Sequence, residues 1–250
     1  MKRDKEYVLT IITTYNRARL LTESIESVLA QDYPYKKIII VDDGSIDETA
    51  NVCQNYVKKY PEQIIYHYKK NGGCASARNR GLSLVGEDVR YVCFLDDDDR
   101  FLPGKFRREV DLLKENPHAN FSYADSVIHD EAGNSEKLVK AAAAGKPNRF
   151  AIEHFLTNEV KSGALLYNVE VVRGRRFRED LKYNEDSEFL QRVAIECTAV
   201  YSPEPSCWVR WHQGCKSRNL VEINKALLWS ALNIIQTYPT FYQTYKGLID

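Results

Sequence analysis

Four apolar, β-branched runs recur at short intervals through the first part of the chain: VLTIIT (8–13), KIIIVDD (37–43), QIIYHY (63–68) and RYVCFLDD (90–97). Each is long enough for a buried strand and too short for an ordinary helix. Between them the spacing becomes helical, with Leu20, Leu21, Ile25, Val28 and Leu29 in the first interval and Val52, Tyr56 and Val57 in the second. The third interval, CASARNRGLSLVG, is short and rich in small residues. Such alternation is satisfied by right-handed crossovers that lay the strands into a parallel sheet with helices on its faces. Ligands of such sheets collect at the carboxyl ends of the strands. Here those ends carry Thr-Thr-Tyr-Asn, Asp-Asp-Gly-Ser, Lys-Lys-Asn-Gly-Gly and Asp-Asp-Asp-Asp, so the polar residues converge on one rim.

After Pro103, which suits the first turn of a helix, residues 104–116 predict an amphipathic helix, followed by a strand over 121–130. EAGN (131–134) signals a hairpin turn into a strand over 135–140, and 141–149 predicts a loop. Beyond it the pattern predicts a helix near 151–157, a strand over 162–167, a helix from Ser187 to Cys197, strands near 198–202 and 206–212, and a helix over 220–237. A chain of 250 residues that is 44% apolar supports one principal domain. We expect it to occupy residues 1–215, with a C-terminal helical extension over 216–250.

The formal net charge is +0 and the basic residues are scattered, which argues against nucleic acid as a partner. The six cysteines contain no CxxC pair and read as reduced, mostly structural thiols of a cytoplasmic protein. The N-terminal apolar stretch is about five residues long against the roughly 20 that span a bilayer. Neither a signal peptide nor a transmembrane helix is expected.

Asp96–Asp99 repel one another, and the apolar run before them fixes the first at the sheet rim. Alternate residues on an extended segment face the same way, so Asp96 and Asp98 can point together. Paired carboxylates with few other protein ligands suit Mg2+ or Mn2+, which complete their shells with water and substrate phosphate. In VDDGSIDET, Ser45 and Asp47 read as helix caps, whereas Asp42 and Asp43 sit at a strand end where a carboxylate can accept from a nucleobase N–H or a ribose hydroxyl. In NGGCASARNRG, Gly72 and Gly73 permit close backbone approach, and Arg78 can pair with a phosphate or carboxylate. No GxGxxG or P-loop motif is present. Glu185 and Asp186, in KYNEDSEFLQR, read equally as acids favoured by a helix N-terminus or as a catalytic pair. His67, His118, His129 and His154 lack metal-ligand spacing and receive no role.

TxYN, VDDGSxDxT, NxGxxxARNxG, FLDxDDxxxP and EDxEFxxR, in this order across about residues 7–212, resemble the family 2 glycosyltransferases of the GT-A fold. The resemblance implies an α/β fold, a mainly parallel Rossmann-like central sheet flanked by helices. It also implies a nucleotide-diphosphate sugar donor, usually UDP-linked, a divalent metal, and inverting transfer. By position, Thr13 and Tyr15 would border the nucleotide, Asp43 would bond the base, and Arg78 would lie near the nucleotide and diphosphate. Asp96 would face the ribose or metal-bound water, and Asp98 would ligate the metal. Asp97 stands where the family usually has a small residue, so the division of labour among the three acids stays open.

Asp186 matches the family's catalytic base and Glu185 its neighbour, while His212 corresponds to a histidine near the metal and diphosphate. Residues 1–100 would bind the nucleotide sugar. Residues 101–215 would bind the acceptor, a saccharide or lipid-linked saccharide, with peripheral contact at the inner membrane face if it is lipid-linked. QxxRW and the membrane helices of processive synthases are missing, which favours single-sugar transfer. Two rivals stay open: a sugar-phosphate nucleotidyltransferase, whose glycine-rich basic opening turn is replaced here by TTYNRAR, and a non-catalytic nucleotide-sugar or glycan-binding module.

Overall fold

The computed structural model describes residues 5–141, 149–215 and 218–249. The expected crossovers appear as β1 (Tyr7–Thr14), α1 (Ala18–Leu29), β2 (Lys36–Asp42), α2 (Thr49–Lys59), β3 (Ile64–Tyr68), α3 (Cys74–Leu82) and β4 (Val89–Asp96). These strands run parallel in the order β3-β2-β1-β4. Alternate residues point to opposite faces, which builds an apolar layer on each side. Leu9, Ile11, Ile39, Val92 and Phe94 enter one layer, and Val8, Ile12, Ile38, Cys93 and Leu95 enter the other. Helix α3 lies so close to β1 that a Cβ at Gly81 would collide with Ile11 Cγ2, so glycine is needed there.

Beyond Asp96 come β5 (Arg100–Phe101), α4 (Lys105–Glu115), β6 (Phe121–Asp130), β7 (Ser135–Val139), α5 (Phe150–Thr157), β8 (Leu165–Asn168), α6 (Val169–Val172), α7 (Glu185–Glu196), β9 (Ala199–Trp211), α8 (Leu220–Thr237) and α9 (Pro239–Ile249). They extend the sheet as β4-β8-β6-β9-β5, with β7 paired to β6. Here β6 and β9 are parallel and the other pairs antiparallel, so an all-parallel N-terminal half continues into a mixed one.

Four local expectations change. The strand expected over 162–167 opens as a 3-10 turn, Ser162–Ala164, and becomes extended only from Leu165. The two strands expected over 198–212 are one, β9, whose register on β6 shifts between Ala124 and Ser126, opposite Pro203 and Pro205; proline cannot donate to the ladder. Helix α7 begins at Glu185 rather than Ser187, placing both acids in its first turn. The C-terminal part forms two helices that break at Tyr238–Pro239 and close Ile234 and Phe241 onto Ile152. Of the predicted loop 141–149, residues 142–148 lie outside the described residues.

Helix α4 carries a fully buried ion pair. Lys105 Nζ donates to both Glu109 oxygens at 2.9 and 2.8 Å and to the Leu165 carbonyl at 3.3 Å, and the Ser122 hydroxyl donates to Glu109 at 3.1 Å. Removing one member strands a buried charge, so Lys105→Met should cost about 3–5 kcal/mol, while Lys105→Met with Glu109→Leu should recover most of it. Denaturant titration of the three proteins checks this.

His154 is buried beneath α7 and stacks on Phe150, and burial pushes it down from its ordinary 6.5 to about 4. Between those values the unfolded chain binds the extra proton, so the contribution of His154 makes stability fall as pH drops from about 6.5 towards 4. His154→Gln should flatten that part of the stability–pH curve, measured by thermal melts.

Candidate active site

The carboxyl ends of β1, β2 and β4 and the first turn of α7 open on one cleft of about 640 Å3, lined by Thr13, Tyr15, Asp43, Arg78, Asp96–Asp98, Glu185 and Asp186 among others. Sequence positions as distant as Thr13 and Asp186 therefore meet in one cavity. Tyr15 stands half-exposed on its rim.

The four aspartates are held by different partners. Asp96, more exposed than Asp97 and Asp98, accepts from Arg78 Nη2 at 2.7 Å, and the other terminal nitrogen of Arg78 donates to Glu185 at 2.9 Å. Burial works against the Arg78 charge, but the surrounding acids, including Asp96, Glu185 and Asp186, outweigh it and its pKa is raised. The guanidinium thus bridges the end of β4 to the start of α7 while lining the cleft. Asp97 accepts from the Tyr15 backbone N–H at 3.3 Å and from Arg17 at 3.0 Å. Its burial pushes its pKa up to about 7 against the pull of Arg17. Arg17 also pairs with Asp98, whose Oδ2 lies 3.0 Å from His212 Nε2. Asp99, half-buried, accepts the Arg210 backbone N–H at 3.0 Å, and is shifted well above the usual carboxylate range by desolvation and then by Asp98 and Asp96.

At the second strand end the two acids also separate. Asp42 is internal, taking the Ser45 backbone N–H at 2.8 Å and the Tyr66 hydroxyl at 2.7 Å. Asp43 reaches the cleft and organises the segment before α3, accepting from Lys69 at 2.6 Å and from the Gly72 and Gly73 N–H groups at 3.0 and 2.7 Å. Gly44 permits the intervening turn: its φ is +88°, and an added Cβ would meet the Asn71 backbone at 2.8 Å. Asp47 precedes Glu48, the N-cap residue of α2, and accepts from Thr49 N–H at 3.0 Å and Ala18 N–H at 3.3 Å, and so ties the starts of α2 and α1 together. Ser45 does not cap α2; its hydroxyl accepts from the Asn16 N–H at 2.8 Å.

Arg17, Lys69 and Cys215 carry parts of this site that the motif reading missed. Arg17 directly follows the TxYN motif, which gives no sign of its pairing with Asp97 and Asp98. Among the described residues, the one group of His, Cys and acidic side chains disposed to hold a metal ion is Asp98, His212 and Cys215, with donor atoms all within 4.8 Å of one another. A carboxylate and an imidazole at this separation suit Mn2+ or another divalent ion.

The family model for Glycosyl transferase family 2 matches residues 10–178. The minor teichoic acid biosynthesis protein GgaB of Bacillus subtilis is 30% identical over 192 residues, covering 73% of this chain and 20% of GgaB. GgaA of the same organism is 28% identical, covering 74% of this chain and 43% of GgaA. The chain therefore spans less than half the length of either relative. Two solved structures share the fold at 18% identity and a TM-score of 0.69. S. aureus TarS 1–349 in complex with UDP-GlcNAc is matched over 92% of this chain and 66% of that one. The mannosyltransferase PcManGT of Pyrobaculum calidifontis, in complex with GDP-Man and Mn2+, is matched over 92% and 64%. The sheet order and these likenesses identify the GT-A fold, and the family match over most of the chain makes this protein a member of glycosyltransferase family 2.

Proposed function

We propose that the chain transfers one sugar, with inversion, from a nucleotide-diphosphate donor, UDP-linked, to a hydroxyl of a saccharide or lipid-linked saccharide of the cell envelope. The observation that carries this reading is the Arg78 bridge: one buried guanidinium holds Asp96 and Glu185, so the acid run and the α7 acids face one cleft. The nucleotide complexes of the two neighbours support a nucleotide-sugar donor, and the envelope-polymer names of the relatives support the acceptor class. In this reading residues 1–100 bind the donor, 101–215 bind the acceptor and 216–250 extend the domain. No helix of the described residues is long and apolar enough to cross a membrane. We place the enzyme in the cytoplasm, meeting a lipid-linked acceptor at the inner membrane face.

Thr13 and Tyr15 border the base, with the exposed Tyr15 ring available to stack. Asp43 accepts from the base N–H with the lone pairs left by Lys69 and the glycine amides. Asp97 holds the Tyr15–Arg17 turn that carries the stacking ring, and Asp96, oriented by Arg78, faces the ribose. Asp98 and His212 would hold the divalent ion. When bound, that ion neutralises the leaving diphosphate. Asp186 takes the acceptor proton as the acceptor oxygen forms its bond to the anomeric carbon and the bond to the diphosphate breaks. Glu185, tied to Arg78, orients the first turn of α7.

Calorimetry with UDP should show binding that weakens when Mn2+ or Mg2+ is removed by chelation. Asp98→Ala should abolish most of that dependence, and equal affinity with and without metal would overturn the metal assignment. Asp186→Asn keeps shape but cannot take a proton, so transfer should fall by at least about two orders of magnitude with UDP affinity retained. Near-wild-type transfer by that variant, with an acceptor in hand, would remove Asp186 from the mechanism.

A further inference from the structure

The turn after β9 reads His212-Gln-Gly-Cys215... in outline His-x-x-Cys, with Gln213 and Gly214 between the two donors. It folds so that both donors face one point. The Cys215 sulfur accepts the His212 backbone N–H at 3.2 Å and donates to the Arg210 carbonyl at 3.2 Å. The Gly214 N–H donates to His212 Nδ1 at 3.1 Å, which leaves Nε2 directed at Asp98, 3.0 Å away. Cys215 is part-buried but lines the cleft, so its thiol is reachable from the nucleotide side.

A carboxylate, an imidazole and a thiol within 4.8 Å of one another form a donor set different from the one that magnesium prefers. Hard ions favour oxygen donors, whereas thiolate selects for zinc and other soft ions, which take Cys, His and Asp together in tetrahedral sites. We infer that Cys215 is a third ligand at this position and makes the site a chelate for a thiophilic divalent cation, zinc or cadmium, that displaces the oxygen-preferring ion of the reaction.

This inference rests on the reading that Asp98 and His212 hold a divalent ion, and adds the thiol to it. Binding involves no redox change: the thiol releases one proton and forms a sulfur–metal bond. The ring proton of His212 moves from Nε2 to Nδ1, at the expense of the bond from Gly214. The incoming cation takes over the charge beside Asp98 that Arg17 now supplies, while Arg17 keeps its pair with Asp97.

Cadmium titration tests this, because the thiolate-to-cadmium charge-transfer band in the ultraviolet reports sulfur ligation without reference to activity. The wild-type chain should give a saturable band that persists in Cys74→Ser, the variant of the other cysteine lining the cleft, and is lost in Cys215→Ser. Cys215→Ser should weaken cadmium and zinc by at least about tenfold, the loss that even an outer-shell partner brings, with a smaller change for Mn2+ followed by the paramagnetic resonance of the free ion. An unchanged band or cadmium affinity in Cys215→Ser would overturn the thiol assignment. Loss of Mn2+ binding in Asp98→Ala alongside that result would leave the divalent-ion site standing. Unaltered Mn2+ and cadmium binding in Asp98→Ala would overturn both.

Discussion

A guanidinium buried as fully as that of Arg78 survives only if its charge is matched on the spot. Asp96 at 2.7 Å and Glu185 at 2.9 Å supply that match from opposite sides. Removing either would leave an uncompensated charge inside the protein, which costs far more than the intact pair contributes. The pairing therefore constrains geometry more than it adds stability. It fixes the end of β4 relative to the first turn of α7, and with them the two walls of the cleft.

The rest of the acid run follows the same logic. Four adjacent aspartates cannot share one environment, and the fold divides them: Asp96 to Arg78, Asp97 to Tyr15 and Arg17, Asp98 to Arg17 and His212, and Asp99 inward to the Arg210 amide. Asp97 has two fixed partners, the Tyr15 amide and Arg17. It latches the turn after β1, and Arg17 in that turn offsets its negative charge.

Outside the cleft, the mixed half of the sheet depends on α4. Its Lys105–Glu109 pair reaches β8 through the Leu165 carbonyl and β6 through Ser122. An ion pair with this many fixed partners locks the orientation of the helix on the sheet. The sheet there carries β9, whose far end delivers Arg210 and His212 to the acid run.

The four crossover strands, their polar ends and the five motifs were legible in the sequence, because strand alternation and turn residues act over a few neighbours. The amphipathic pattern of 104–116 also predicted its helix, yet gave no sign that Lys105 and Glu109 would be buried. The joined β9, with its prolines opposite a register shift, was invisible because strand continuity depends on the partner strand. The same holds for the site. The residue types at each rim position could be read, but their partners could not. Arg78 meets Glu185 across 107 residues of chain and Asp98 meets His212 across 114. Cys215 read as one more structural thiol until the turn brought it beside His212. Local chemistry was written in the sequence; which charge neutralises which was decided by tertiary structure, because only folding brings those groups within hydrogen-bonding reach and out of water.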